Sequence, residues 1–145
     1  MQRREFVQRA GARGALGLGS GPMAHSAATS ATSAAISRAI PSTGERLPVI
    51  GLGTSGPFEA GTDAAARAPL AEVLGGFFDA GCTLIDTSPM YSTAEAVLGD
   101  LLTPAQQQRA FIATKVWTRG EADGIAQMQR SMQLLKRERV DLMQI

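Results

Sequence analysis

From residue 49 onward, short apolar runs alternate with longer segments whose apolar residues recur at helical spacing. Val49-Ile50-Gly51-Leu52-Gly53-Thr54 is a short apolar run closed by small residues and reads as a buried strand. Residues 64–80 read as a helix, with Leu70, Val73, Leu74, Phe77 and Phe78 on one face and Gly81 as its stop. Thr83-Leu84-Ile85-Asp86 reads as a second strand. Ala94 to Leu102 reads as a second helix, with Val97, Leu98, Leu101 and Leu102 apolar and Pro104 just beyond. Phe111 to Val116 is a third strand, and residues 122–137 a third helix with Ile125, Met128, Met132 and Leu135 on one stripe. The basic end of that helix, Lys136 and Arg137, suits the helix dipole. Val140 to Ile145 starts a fourth strand. Ahead of these elements, Arg38-Ala39-Ile40 and Arg46-Leu47-Pro48 flank Ser42-Thr43-Gly44-Glu45 as a small hairpin.

This alternation predicts an α/β fold with a parallel sheet and helices packed on it. Two closures fit it: an open doubly wound sheet, or the first part of a (β/α)8 barrel, which needs about 250 residues. The 145-residue chain stops at Ile145 inside an apolar strand, so it is expected to be the N-terminal part of a longer protein.

Composition changes the picture before residue 39. Arg3, Arg4, Arg9, Arg13 and Arg38 face one acid, Glu5, whereas the remainder carries a small acidic excess. Residues 10–39 are dominated by Ala, Gly, Ser and Thr, too little apolar surface to offset chain entropy. The start, Met1-Gln2-Arg3-Arg4-Glu5-Phe6-Val7-Gln8, followed by the weakly apolar stretch Ala10 to Ala24, resembles a twin-arginine export signal. That resemblance implies cleavage between Ala24 and Ala35, recognition by the twin-arginine export machinery and a periplasmic location. The expected division is a signal peptide and linker over 1–36 and a folded part over 37–145. The alternative is a flexible linker on a cytoplasmic protein.

Hydrophobic residues make up 44% and charged residues 19% of the chain, which excludes disorder throughout. No stretch of 18 uncharged apolar residues occurs, so no membrane-spanning helix is expected. A net charge of +1 speaks against general nucleic-acid binding. One cysteine, Cys82, permits no internal disulfide and no multi-cysteine metal site, and reads as a small core residue. One histidine, His25, lies in the signal-like segment, which removes the usual histidine-based hydrolase chemistry from the remainder.

Gly51-Leu52-Gly53-Thr54-Ser55-Gly56 matches the G-x-G-x-x-G dinucleotide pattern after a strand. A helix must begin at those glycines to aim its amides at a pyrophosphate, but Pro57 and Gly61 keep the chain irregular to about residue 64. The acid at the end of the next strand, Asp86, lies 35 positions after Gly51 rather than about 20. A Rossmann-type dehydrogenase using Gly51, Gly53 and Gly56 is therefore only the alternative reading.

The chemistry concentrates at the strand ends. Asp86 ends the second strand, Tyr91 follows five residues later as the chain's one tyrosine, and Lys115 lies near the end of the third strand. In a parallel layout all three reach the carboxyl edge, where such folds build sites. A lysine in an apolar strand is costly unless paired, and Asp86 is the expected partner. The bland readings are a helix cap for Asp86, a rim aromatic for Tyr91 and a snorkelling Lys115. Together the three suit proton transfer to a carbonyl oxygen. A free phenol, with a pKa of about 10, is a weak acid, and a neighbouring ammonium favours its ionised form. The hydride must come from a cofactor, since no side chain supplies one.

Four stretches carry a family resemblance: Leu47 to Thr54, Gly81 to Tyr91, Ile112 to Val116, and Arg139 to Ile145. In this order and spacing they resemble the N-terminal part of an aldo/keto reductase, from about Ala39 to Ile145. The resemblance implies a (β/α)8 TIM barrel, of which about three and a half βα units are present. It also implies NADP(H) as cofactor and reduction of a small aldehyde or ketone substrate. Asp86, Tyr91 and Lys115 match three of that family's catalytic tetrad, with Tyr91 as the acid. Gly53 and Thr54, with Asp86, match the edge bordering the cofactor, and Trp117 matches a position near the substrate mouth. Two departures stand out. Ser92 follows Tyr91 where the family usually has glycine. The tetrad's histidine normally follows the pattern that Asp141-Leu142-Met143-Gln144-Ile145 reproduces, and the chain ends one position short. The 145 residues alone are therefore expected to bind NADPH poorly and turn over nothing measurable. A non-catalytic exported binding or assembly module built on half a barrel is the remaining alternative.

Overall fold

The computed structural model describes residues 35–145. The expected hairpin comes first: β1 (Ser37–Ala39) pairs antiparallel with β2 (Arg46–Pro48), and Ile40 and Glu45 close its turn. Then follow β3 (Gly51–Gly53), α1 (Ala64–Asp79), β4 (Leu84–Asp86), α2 (Ala94–Leu101), α3 (Pro104–Arg109), β5 (Phe111–Lys115), α4 (Glu121–Leu135) and β6 (Leu142–Gln144).

The four later strands form one parallel sheet in the order β3-β4-β5-β6. The order is sequential and never reverses, whereas a doubly wound sheet reverses at its switch point. Right-handed crossovers then place the helices on one side, as in an arc of a (β/α)8 barrel.

Alternation along the strands divides the residues between two faces. Ile85 and Ile112, fully buried, pack with Leu74 and Phe78 of α1, Val97 and Leu98 of α2 and Leu135 of α4. Each such side chain stabilises the fold by about 1.5–3 kcal/mol through burial alone. On the opposite, concave face lie Leu84 and Phe111, then Asp86 level with Ala113 and Leu142, then Lys115 level with Gln144. Cys82 is buried and free, as expected for a small core residue.

Several sequence expectations need correction. The first strand is shorter than expected, and Val49 and Ile50 are exposed rather than buried because pairing with β4 begins only at Gly51. On α1 the core stripe is Leu70, Leu74 and Phe78, and Val73 is half-exposed. At 3.6 residues per turn Val73 lies about 100° from the centre of that stripe. Pro104 does more than end α2. It opens α3, whose Thr103–Gln106 capping box satisfies the first amides.

On α4 the buried positions are Gly124, Ser131 and Leu135, while Ile125 is half-exposed. The helix sits close against α2 at Gly99, so small residues mark the contact. The helix ends at Leu135, and Lys136 caps it in the left-handed region. Lys136 and Arg137 are thus beyond the helix instead of in its last turn. Lys136 pairs with Asp100 of α2, and Arg137 pairs with Asp141 ahead of β6.

Among the described residues no helix is long and apolar enough to cross a membrane. Of the segment read as signal peptide and linker, residues 1–36, residues 1–34 with His25 fall outside the described residues.

Candidate active site

The three residues singled out at the strand ends do meet. Asp86 and Lys115 end β4 and β5, and the pairing register places both on the concave side. Lys115 Nζ donates to Asp86 Oδ1 at 2.9 Å, to Oδ2 at 2.8 Å and to the Thr87 carbonyl at 3.0 Å. The cation therefore has the partner that its place in an apolar strand requires. The pair stays in touch with solvent, with side-chain exposures of 24% for Lys115 and 41% for Asp86.

Tyr91 reaches the pair from the loop between β4 and α2. Its amide donates to the Ser88 carbonyl at 3.0 Å, and its carbonyl accepts from Ala94 N at 2.8 Å, which winds the loop into the helix. Ser92 turns the chain there with φ of 45°, the left-handed region that favours glycine. The Lys115 ammonium lies 5.3 Å from the centroid of the Tyr91 ring, within cation–π range.

Two further residues hold Asp86. Gln144 Nε2 donates to Asp86 Oδ1 at 2.9 Å across the concave face from β6. Thr54, fully buried, donates both its amide and its hydroxyl to the Asp86 carbonyl at 3.1 Å. The Thr54 side chain is thus committed to the sheet. Gly53 instead faces the open concave side, where a Cβ would meet no atom within 4 Å. No functional role is expected of Gln144 from sequence; the pairing of β5 with β6 sets it level with Lys115.

Trp117, 64% exposed, stands two residues beyond Lys115. With Val116, Thr118, Arg119 and Ile145 it lines a cavity of about 560 Å³ at the same end of the sheet.

The Rossmann alternative does not survive this geometry. No helix starts at Gly51, Gly53 or Gly56. Helix α1 begins at Ala64, and the Asp63 carboxylate already accepts from Ala65 N at its N-terminus. A negative side chain therefore stands where a pyrophosphate would have to lie.

A parallel β/α arc with an acid, an ammonium and a phenol at its carboxyl edge has the layout of a barrel enzyme's active face. Residues 49–145 match the model of the Aldo/keto reductase family. The chain belongs to that family. It is 34% identical over 100 residues to methylglyoxal reductase YeaE of Escherichia coli (strain K12), covering 66% of this chain and 34% of that protein. Among solved structures it resembles an aldo-keto reductase from Klebsiella pneumoniae in complex with NADPH. That pair shows 30% identity and a TM-score of 0.60, over 69% of this chain and 35% of the other. It also resembles a thermostable aldo-keto reductase solved with the inhibitor epalrestat, at 28% identity and a TM-score of 0.64, over 74% of this chain and 41% of the other. The chain thus spans less than half the length of these relatives.

Proposed function

We propose that this chain carries the proton-donating arc of an NADPH-dependent reductase that converts aldehydes or ketones to alcohols. The observation behind the reading is the Lys115 ammonium, anchored by both oxygens of Asp86 and set 5.3 Å from the Tyr91 ring centroid. Family membership and the related structure in complex with NADPH support it.

The residues present fit a nicotinamide cofactor. Gly53 leaves the concave edge open beside Asp86, and a ledge without a side chain allows close approach of a flat ring. Gly53 and Asp86 would border the cofactor, with Thr54 acting through the Asp86 backbone. When bound, the cofactor supplies the hydride that no side chain can provide.

The chain's own residues handle the proton. Tyr91 holds it on the phenolic oxygen and passes it to the substrate oxygen as negative charge develops there. Lys115 offsets the charge left on the phenolate by proximity. Asp86 and Gln144 keep the ammonium in place, and Trp117 gives a small carbonyl substrate an aromatic wall at the mouth.

Methylglyoxal, the substrate in the E. coli relative's name, is the first compound to test. The assay is NADPH oxidation by the protein containing this arc, with methylglyoxal and a panel of simple aldehydes and ketones. Y91F should lower kcat by on the order of 10²–10⁴. Undiminished turnover in Y91F would overturn the reading. The 145 residues alone should bind NADPH weakly and show no turnover, so Tyr91-dependent NADPH oxidation by that chain would contradict this part.

From the resemblance of Met1 to Gln8 to a twin-arginine signal, we propose separately that the folded part, residues 37–145, is exported to the periplasm through Arg3 and Arg4. Replacing both arginines with lysine should leave the protein in the cytoplasmic fraction. An unchanged distribution between fractions would contradict export by this route.

A further inference from the structure

Glu95 is 3% exposed, yet it takes no part in the proton path proposed above. It sits in the first turn of α2, and its two oxygens are used on two other elements. Thr114 Oγ1 donates to Oε1 at 2.7 Å, and Ser131 Oγ donates to Oε2 at 3.1 Å. Thr114 and Ser131 are themselves buried. Burying a carboxyl group is costly even when it is hydrogen-bonded, and a packed apolar side chain would give the same cohesion more cheaply. Cohesion alone therefore does not account for an acid at this point.

Its connections do. Thr114 immediately precedes Lys115 on β5 and faces the helices, while Lys115 faces the concave side. Glu95 follows Tyr91 by four residues, and the segment between is closed by the Ala94 N to Tyr91 carbonyl bond and the Ser92 turn. One carboxyl group thus joins the short segment carrying the phenol to the strand carrying the ammonium, and Ser131 of α4 braces it from behind. We infer that Glu95 is a positioning residue that sets the distance between Tyr91 and Lys115. The inference rests on the proton-transfer reading above. Without both acceptors, two buried hydroxyls lose their partner and α2 is free to shift against β5.

The sequence offers a sparse probe. The chain has two lysines, Lys115 and Lys136, and one tyrosine, Tyr91. With lysine labelled at the ε-carbon, NMR of the full chain gives two ε-methylene signals, assigned through K136R. The signal of Lys115 should be moved upfield by the ring current of Tyr91, and Y91L marks its position without the ring. E95L should carry it most of the way to the Y91L position. E95Q keeps one acceptor for Thr114 and should retain most of the wild-type shift. L74A, a core change in α1 away from the network, should lower Tm and leave the signal in place.

A lowered Tm in E95L with an unmoved Lys115 signal would reduce Glu95 to a structural role and overturn the inference. If E95L does not fold, T114V and S131A each remove one hydroxyl and are judged by the same criterion. If Y91L leaves the wild-type signal where it was, the phenol and ammonium are not in contact. The proton-transfer reading then fails first, and this inference falls with it. If Y91L moves the signal and no Glu95, Thr114 or Ser131 variant does, this inference alone fails.

Discussion

The Lys115 ammonium is held on one side by both carboxylate oxygens of Asp86 and faces the Tyr91 ring on the other, 5.3 Å from its centroid. The two residues are brought together by different means. Lys115 is placed by strand register, whereas Tyr91 is placed by a loop that turns through Ser92. A rigid strand fixes the charge, and the loop decides how well the phenol meets it.

That turn can be probed directly. Ser92 occupies the left-handed region at φ 45°, where a side chain is disfavoured by about 1–2 kcal/mol. Part of that gain is lost to the extra freedom of glycine in the unfolded chain. S92G should therefore raise stability by up to about 1 kcal/mol in denaturant unfolding. A loss of stability would show that the serine side chain supports the turn.

The close approach of α2 and α4 depends on Gly99. A Cβ there would collide with the Leu134 carbonyl oxygen and lie 3.0 Å from Leu135 backbone atoms. Backbone cannot yield as a flexible side chain can, so G99A must push the helices apart. The expected cost is about 1–3 kcal/mol or more, seen as a lower midpoint in denaturant unfolding. An unchanged midpoint would mean that the helices are not packed this closely.

Asp100 joins three elements by ion pairing with Arg67 of α1 at 2.9 Å and with Lys136, the cap of α4, at 2.7 Å. The hydrogen bond from Lys136 foremost, then that from Arg67, holds its carboxyl below the ordinary value of 3.8. A lowered folded-state value means stability that is fully present above the unfolded value and is lost as pH falls through the folded one. The contribution of Asp100 should therefore fade below about pH 4. Because the side chain is 39% exposed, solvent screening limits it to about 0.2–1 kcal/mol. D100N should lower stability by that amount at pH 7, and the gap from wild type should close in acid. A constant gap across pH would contradict the ion-pair account.

Much of this arrangement was legible in the sequence. The alternation of apolar runs and helical stripes identified each strand of the parallel sheet and three of its helices, and the strand ends pointed to Asp86 and Lys115, which the structure brings together with Tyr91 of the following loop. The reading failed where packing between elements overrides a stripe on one of them. Val73 and Ile125 are apolar, but α1 and α4 turn other residues inward. On α4 the inward residues are a glycine and a serine, which hydrophobic periodicity cannot register. Helix α3 buries none of its residues, so hydrophobic periodicity gives no sign of it, and Pro104 reads from sequence only as the stop of α2. The Thr-Pro-x-Gln spacing of Thr103, Pro104 and Gln106 was the available signal. Gln144 and Glu95 were missed as partners for a different reason. Each acts across a long stretch of chain, on Asp86 and on Thr114 and Ser131, and only three-dimensional proximity reveals those contacts.

The central claim is that Lys115 serves Tyr91, and a double-mutant cycle in the NADPH-dependent carbonyl reductase assay tests it most directly. The protein containing this arc is compared as wild type, Y91F, K115M and the double variant. If the ammonium acts through the phenol, K115M should cost on the order of 10²-fold or more in kcat by itself and almost nothing further once Tyr91 is phenylalanine. Losses that simply multiply in the double variant would show that the two side chains act independently, and the account would be wrong.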